Sequence, residues 1–577
     1  MTGFRAALRS LSDFILDARL VIGDAWRRLP GVLAMMLLAM GFDLLGVALV
    51  SPFLSVLLYT DSATPPWFPM SEFLLHGAGL RWLAIALFVT VTLKGLVAYA
   101  TQRRISQVTE TERAKLMDRL LGAYQGMPYE LHLRRNSADL VNVIVWYTQA
   151  YTSGVLGSTL RLFADLLVFI ALGAFLAWTD LRAVAILLSI LAAVFLVVGR
   201  FVRPPLMAAN QLNANLNSSV YLSVSQALMG LREVRILGRE QFFRERLRSA
   251  ANGLAESSSV VTALQLVPRQ AIEVAVIGFL VALVWLTRSG NSSMHVLVPV
   301  LGTFAFAAIR LMPASTAILG NWNTLRASRF ALRELAKNLS LIAADQTASM
   351  QISDRPVTDE AEKFRELEVD SIDFTYADAL EPALKGMTFK IRAGEVVAFV
   401  GRSGSGKSTL ADIVLGLLSP QKGAIRVNGW DVATNIRRWH TMVAYIPQAV
   451  YLIDDTLRRN IALGVPDEEV SAERVDRAVK DAQLGDLVAK LPAGLDTVIG
   501  ERGTRFSGGQ RQRVAIARAL YYDRQFLLLD EATSALDSET EEAVLQTIKA
   551  LHGNRTLLVI AHKPSLIAGA TTVIRLD

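Results

Sequence analysis

At 577 residues, with 52% hydrophobic content and a mean hydropathy of +0.37, the chain is too long for one domain and too apolar for a wholly soluble protein. It has no cysteine, which excludes disulfides, thiolate metal sites and thiol nucleophiles. Its formal charge of +7 lies mostly in loops that flank apolar spans, so membrane topology accounts for it and no nucleic-acid partner is expected.

In chain order, the N-terminal segment 1–30 mixes apolar and charged positions at near-helical spacing, which predicts an amphipathic helix on the membrane surface. It holds no apolar core followed by a small-residue cleavage site, so no cleavable signal peptide is expected. Residues 31–337 then read as a six-span domain, with spans near 32–59, 81–101, 156–178, 181–202, 271–288 and 295–319, each able to cross a core that needs ~20 apolar residues. Thr179-Asp180-Leu181 predicts a tight antiparallel hairpin. Residues 60–80 and 289–294 contain no Lys or Arg, whereas the segments around 103–135 and 203–248 are rich in Arg. By the positive-inside rule, the N-terminus, both long connections and the C-terminal part are cytoplasmic.

Those connections, 103–155 and 203–270, are too polar for membrane and too rich in helix formers for loops. They predict span helices extended into the cytoplasm, each pair joined by a short transverse segment, with 136–143 and 226–234 as the candidates. Residues 338–366 read as a linker, and 367–577 alternate strand-like and helix-like stretches. The predicted fold class is an α-helical six-span transmembrane domain with long cytoplasmic helical extensions, followed by an α/β P-loop nucleotide-binding domain.

The most specific stretch in that second part is Gly401-Arg-Ser-Gly-Ser-Gly-Lys407-Ser408-Thr409, between an apolar run and an apolar helix-like segment. In that context G-x-x-x-x-G-K-[ST] means phosphate binding: Gly401, Ser403, Gly404, Ser405 and Gly406 form the cradle, Lys407 reaches the β- and γ-phosphates, and Ser408 is placed to ligate Mg2+. Leu527-Leu528-Leu529-Asp530-Glu531 predicts a buried strand ending in two carboxylates. Asp530 fits the Mg2+ side, and Glu531 fits a general base acting on water.

Phe506-Ser507-Gly508-Gly509-Gln510 stands between these two motifs, and this order resembles the signature of ATP-binding cassette proteins, with Phe where Leu is commoner. The resemblance extends to Tyr376, placed like the aromatic that stacks on adenine, and to Gln448, placed like the glutamine that senses Mg2+ and contacts the membrane domain. Asp537, in Ser534-Ala-Leu-Asp537, resembles the loop across the dimer seam, and His562 the switch histidine at the γ-phosphate. Glu501, in Gly500-Glu501-Arg502-Gly503, resembles the exporter segment that meets the coupling helices. What the resemblance implies is ATP and Mg2+ as cofactors, with Lys407, Gln448, Glu531 and His562 in the catalytic group. It also implies a homodimer, because Ser507 and Gly509 of one subunit face the phosphate loop of another.

Spans and cassette on one chain resemble exporters. Residues 41–54, 65–79 and 127–137 resemble flippases of lipid-linked oligosaccharides, which implies such a lipid as cargo. A peptide or small amphipathic drug is the alternative cargo; an ATP-gated channel or regulator is disfavoured by the intact Glu531 and His562. Arg310, beside Pro313 in the sixth span, is the candidate for an anionic headgroup, with pairing to Asp43 or Asp165 inside the bundle as the competing reading. Lys94 is expected to snorkel.

Overall fold

The computed structural model describes residues 21, 27–58, 77–135, 137–289, 294–349, 362–377, 379–402, 404–500, 503–531, 538–551, 553–561 and 567–576. These fall into two units, Met1–Gln125 with Ser137–Ala343, and Gly126–Asn136 with Ala344–Asp577. Apart from Val21 and residues 27–30, the expected surface helix lies outside the described residues.

The first unit is helical. Helix α1 (Leu29–Leu58) is followed by α2 (Gly77–Gln125); the short α3 (Tyr129–Leu133) belongs to the second unit. Then come α4 (Ser158–Thr179), α5 (Leu181–Phe201), α6 (Arg203–Met229), α7 (Leu231–Ile236), α8 (Glu240–Ser289), α9 (Met294–Ala327) and α10 (Arg329–Ser349). Among the described residues, six helices are long and apolar enough to cross a membrane, with window hydropathies from 1.4 to 2.8. Helices α2 and α8 have 49 and 50 residues. At 1.5 Å per residue each is about 75 Å long, more than twice the ~30 Å hydrocarbon core, so each must project well beyond it.

Local chemistry sets the turns. Asp180 breaks the helix between α4 and α5 and caps the latter, its carboxylate accepting from the Arg182 and Ala183 amides at 2.9 and 3.1 Å. The expected hairpin is there. The first transverse segment, however, is not 136–143: α2 stops at Gln125, ahead of Gly126 and Pro128, and the short helix is α3. Residues 137–142 instead open the next long helix, which passes through π-helical stretches at Val143–Tyr147 and Ala150–Gly157 into α4. The second transverse segment, α7, overlaps the expected 226–234 and is bounded by Gly230 and by Gly238, whose φ is +60°.

Small side chains let the long helices approach. Ser257 Oγ donates to Ala209 O at 3.0 Å, tying α8 to α6, and Gly154 lies so near the α9–α10 break that a Cβ there would sit 2.0 Å from Ser328 Oγ. The apolar core gathers Leu172, Leu176, Ile272, Phe279, Phe304 and Ala307, while Phe88, Leu196 and Trp285 stay exposed, as a lipid-facing surface requires. Helix α10 continues to Ser349, so the first part of the expected linker is helical.

The second unit holds two sheets. Strands β1 (Glu366–Phe374), β2 (Leu384–Arg392), β4 (Lys422–Val427) and β5 (Trp430–Asp431) form an antiparallel sheet in the order β2-β1-β4-β5. Strands β3 (Val396–Gly401), β6 (Val443–Ile446), β7 (Phe526–Asp530), β8 (Thr556–Ile560) and β9 (Thr572–Leu576) form a parallel sheet in the order β6-β7-β8-β3-β9. Its central strands are apolar throughout because both faces are covered. Leu527, Leu529, Leu557 and Val559 enter one core, while Phe526, Leu528, Leu558 and Ile560 enter the other. Helix α11 (Lys407–Val414) follows β3, and α12 (Gly508–Tyr521) precedes β7.

Candidate nucleotide site

The carboxyl ends of the parallel strands carry the predicted chemistry. Gly401 pairs with Leu576 of β9, and a Cβ on it would sit 2.1 Å from Leu576 O. Gly404 and Gly406 have φ of +85° and +87°, and a Cβ on Gly406 would meet Ala383 O at 2.5 Å. No larger residue fits that turn, which curls the loop backbone into the shape that can face a phosphate. Lys407 opens α11 and is buried, its Nζ donating to Gly401 O at 2.9 Å and Arg402 O at 2.7 Å. Ser405 Oγ is buried with no hydrogen-bond partner among the described residues, and Ser408 is exposed on the first turn of α11. An orphaned hydroxyl, a buried cation and a helix N-terminus in one loop fit a polyphosphate.

Across the sheet, Asp530 ends β7 and its Oδ2 accepts from Tyr445 Oη at 3.1 Å. Glu531 follows at φ +45°, a strained conformation for a non-glycine residue, and its Oε2 accepts from Gln448 Nε2 at 2.7 Å. Gln448 and Glu531 are thus brought together at the carboxyl ends of β6 and β7. Tyr376 lies beyond β1, its ring edge-on to Phe374 at 5.0 Å and its Oη 3.1 Å from Thr409 Oγ1. Ser507 caps α12 in a reciprocal box with Gln510: Ser507 N donates to Gln510 Oε1 at 2.9 Å and Gln510 N donates to Ser507 Oγ at 3.3 Å. That capping presents Gly508 and Gly509 at the helix start. Ser403, Glu501, Asp537 and His562 lie outside the described residues.

Three residues of this neighbourhood escaped the motif reading. Asp412, on α11, has its carboxyl pushed up to about 6, first by burial and then by the nearby Asp530 carboxylate. Tyr445 stands three residues before Gln448, yet only the parallel register shows that its hydroxyl reaches Asp530. Tyr129 of α3 packs against the core that holds Tyr376 and Leu410, and its phenol is raised by burial and then by Asp412. The available signal was an acid within the otherwise apolar Leu410-Ala-Asp412-Ile-Val.

In the helical unit, Arg310 Nε lies 3.8 Å from Asp43 Oδ1, and Lys94 Nζ lies 2.5 Å from the same oxygen. Lys94 therefore turns inward to a carboxylate instead of snorkelling. Asp165 takes a different partner, accepting from Asn321 Nδ2 at 3.1 Å. The Arg310 guanidinium also lies over the Phe306 ring at 5.7 Å.

A polyphosphate cradle and a set of membrane-length helices on one chain define the class of ATP-powered membrane transporters. The comparisons agree: residues 384–534 match the family described as ABC transporter, and residues 34–305 match the ABC transporter transmembrane region. The chain is 32% identical over 522 residues to the ATP-dependent lipid A-core flippase of Cupriavidus pinatubonensis, covering 87% of this chain and 84% of that protein. It is 31% identical over 499 residues to the protein of that name from Salmonella typhimurium, covering 86% and 84%. A solved structure titled as a bacterial Atm1-family ABC exporter with ATP bound has the same fold, with a TM-score of 0.72 at 24% identity over 96% of this chain and 94% of that one. The chain belongs to the ABC transporters and is a multi-pass membrane ATPase that couples ATP binding and hydrolysis to transport.

Proposed function

We propose that two copies of this chain form a homodimeric flippase of the inner membrane, which uses Mg2+ and ATP to move an anionic amphipathic lipid, a lipid-linked saccharide, out of the cytoplasmic leaflet. The cassette and N-terminus lie on the cytoplasmic side, a reading that the Arg-rich connections support. The observation that carries the cargo reading is the convergence of Lys94 and Arg310 on Asp43. Two cations on one carboxylate leave an excess positive charge among spanning helices, a costly arrangement that an anionic headgroup would relieve. Relatives named as lipid flippases support the same cargo class.

For the homodimer, support comes from exposed apolar surface around α7. Met229, Ile236, Leu237 and Phe242 are exposed beside a groove of about 690 Å3 lined by Val234, Phe243 and Arg246, a surface that a second copy would cover. In that dimer Ser507, Gly508 and Gly509 of one copy close on the phosphates held by the other, with Asp537 at the seam and Glu501 toward the coupling segments.

Within the site, Lys407 exchanges its loop carbonyls for phosphate oxygens, and Tyr376 stacks on the adenine. The oxygens of Ser408, Gln448 and Asp530 suit Mg2+, a hard cation that neutralises charge on the β- and γ-phosphates when bound. Glu531, its carboxylate steered by the Gln448 amide, takes the proton of the attacking water, and His562 contacts the γ-phosphate. ATP favours the closed dimer and hydrolysis releases it, so differential affinity for the two states moves the membrane unit.

The deciding experiment is reconstitution in liposomes. Arg310→Ala should lower lipid translocation roughly tenfold, the loss expected from one charge-assisted contact, while basal hydrolysis persists. Stimulation of hydrolysis by a peptide and by no anionic lipid would overturn the cargo.

A further inference from the structure

We propose that Tyr445 is a positioning residue for hydrolysis: its hydroxyl fixes the rotation of the Asp530 carboxylate. The inference rests on the reading of Asp530 as the Mg2+-side carboxylate.

The strand register explains how the contact arises. In the β6–β7 pair Tyr445 stands opposite Leu528, so a phenol directed along the strand reaches the residue two positions on. That residue is Asp530, and the donor–acceptor distance is 3.1 Å. Packing does not require a tyrosine here. Val443 and Ile446 fill the buried positions of β6, whereas Tyr445 is 41% exposed, so its distinguishing feature is the hydroxyl. A carboxylate that accepts a hydrogen bond on one oxygen has its rotation fixed, and a metal-side ligand is useful only when its orientation is fixed.

The test uses the full-length protein in nanodiscs. Tyr445→Phe removes only the hydroxyl. The Mg2+ concentration for half-maximal hydrolysis should rise about three- to tenfold, the scale of one ordinary intramolecular hydrogen bond. Mn2+ affinity in the presence of nucleotide, read by electron paramagnetic resonance, should fall by the same factor, with metal-free ATP affinity and melting temperature unchanged. Wild-type metal constants in Tyr445→Phe would overturn the positioning role. A wild-type protein that binds and hydrolyses ATP without any divalent cation would instead remove the underlying reading of Asp530.

Discussion

The phosphate loop of the second unit and the ion cluster of the first are both concentrations of charge, built by opposite means. In the loop, backbone does the work: glycines at φ near +85°, a helix N-terminus and one buried lysine, all within nine consecutive residues. In the cluster, side chains do it: Asp43, Lys94 and Arg310 come from three helices far apart in sequence. A site made of backbone is constrained residue by residue, so its sequence is narrow. A site made of distant side chains is set by packing and leaves only isolated charges in apolar runs.

The comparison can be broken most sharply at Glu531. Glu531→Gln should cut steady-state hydrolysis at least about 100-fold, the contribution of a positioned general base, while nucleotide affinity is retained. Near-normal turnover would mean that the strained backbone at this position serves something other than water activation.

A smaller but informative effect is expected in the helical unit. Asp43→Asn removes the one carboxylate facing two cations and should destabilise the protein by about 3 kcal/mol, as breaking a buried ion pair does, lowering the melting temperature in detergent. If the melting temperature is unchanged, the cations are solvated and the cluster is a wet cavity wall.

The smallest effect belongs to Asp412. Its folded pKa of about 6 lies above the ordinary 3.8, so its neutral form is favoured in the folded state. Stability is unpenalised below the ordinary value and is lost as pH rises toward and through 6. Asp412→Asn should therefore be more stable than wild type at pH 7.5, by about 1 kcal/mol once solvent screening is allowed for, with the difference vanishing near pH 4. Chemical denaturation at the two pH values measures it.

The same contrast explains how much was legible in advance. The phosphate loop and the Asp530-Glu531 strand could be placed from the local sequence, since each is a local solution to a local problem, whereas Ser507 stood out only through the family resemblance and its role as a helix cap appears in the structure. Membrane spans followed from hydropathy, and the Asp180 hairpin from its length. The first transverse segment lies several residues earlier than expected, because residues 137–143 look helical and are helical, while the decisive break comes from Gly126 and Pro128. Lys94 was expected at the interface because its partner, Asp43, lies on another helix. Tyr445 carried no message until parallel pairing set it two positions behind Asp530.

The absence of a side chain at residue 154 has a mechanical corollary. With Ser328 seated where a Cβ would otherwise be, two long rods touch at the point where each departs from regular winding, one by π-turns and one by a break. Rods notched together in this way cannot slide lengthwise past one another without first separating. The notch therefore favours the two rods moving together as one lever.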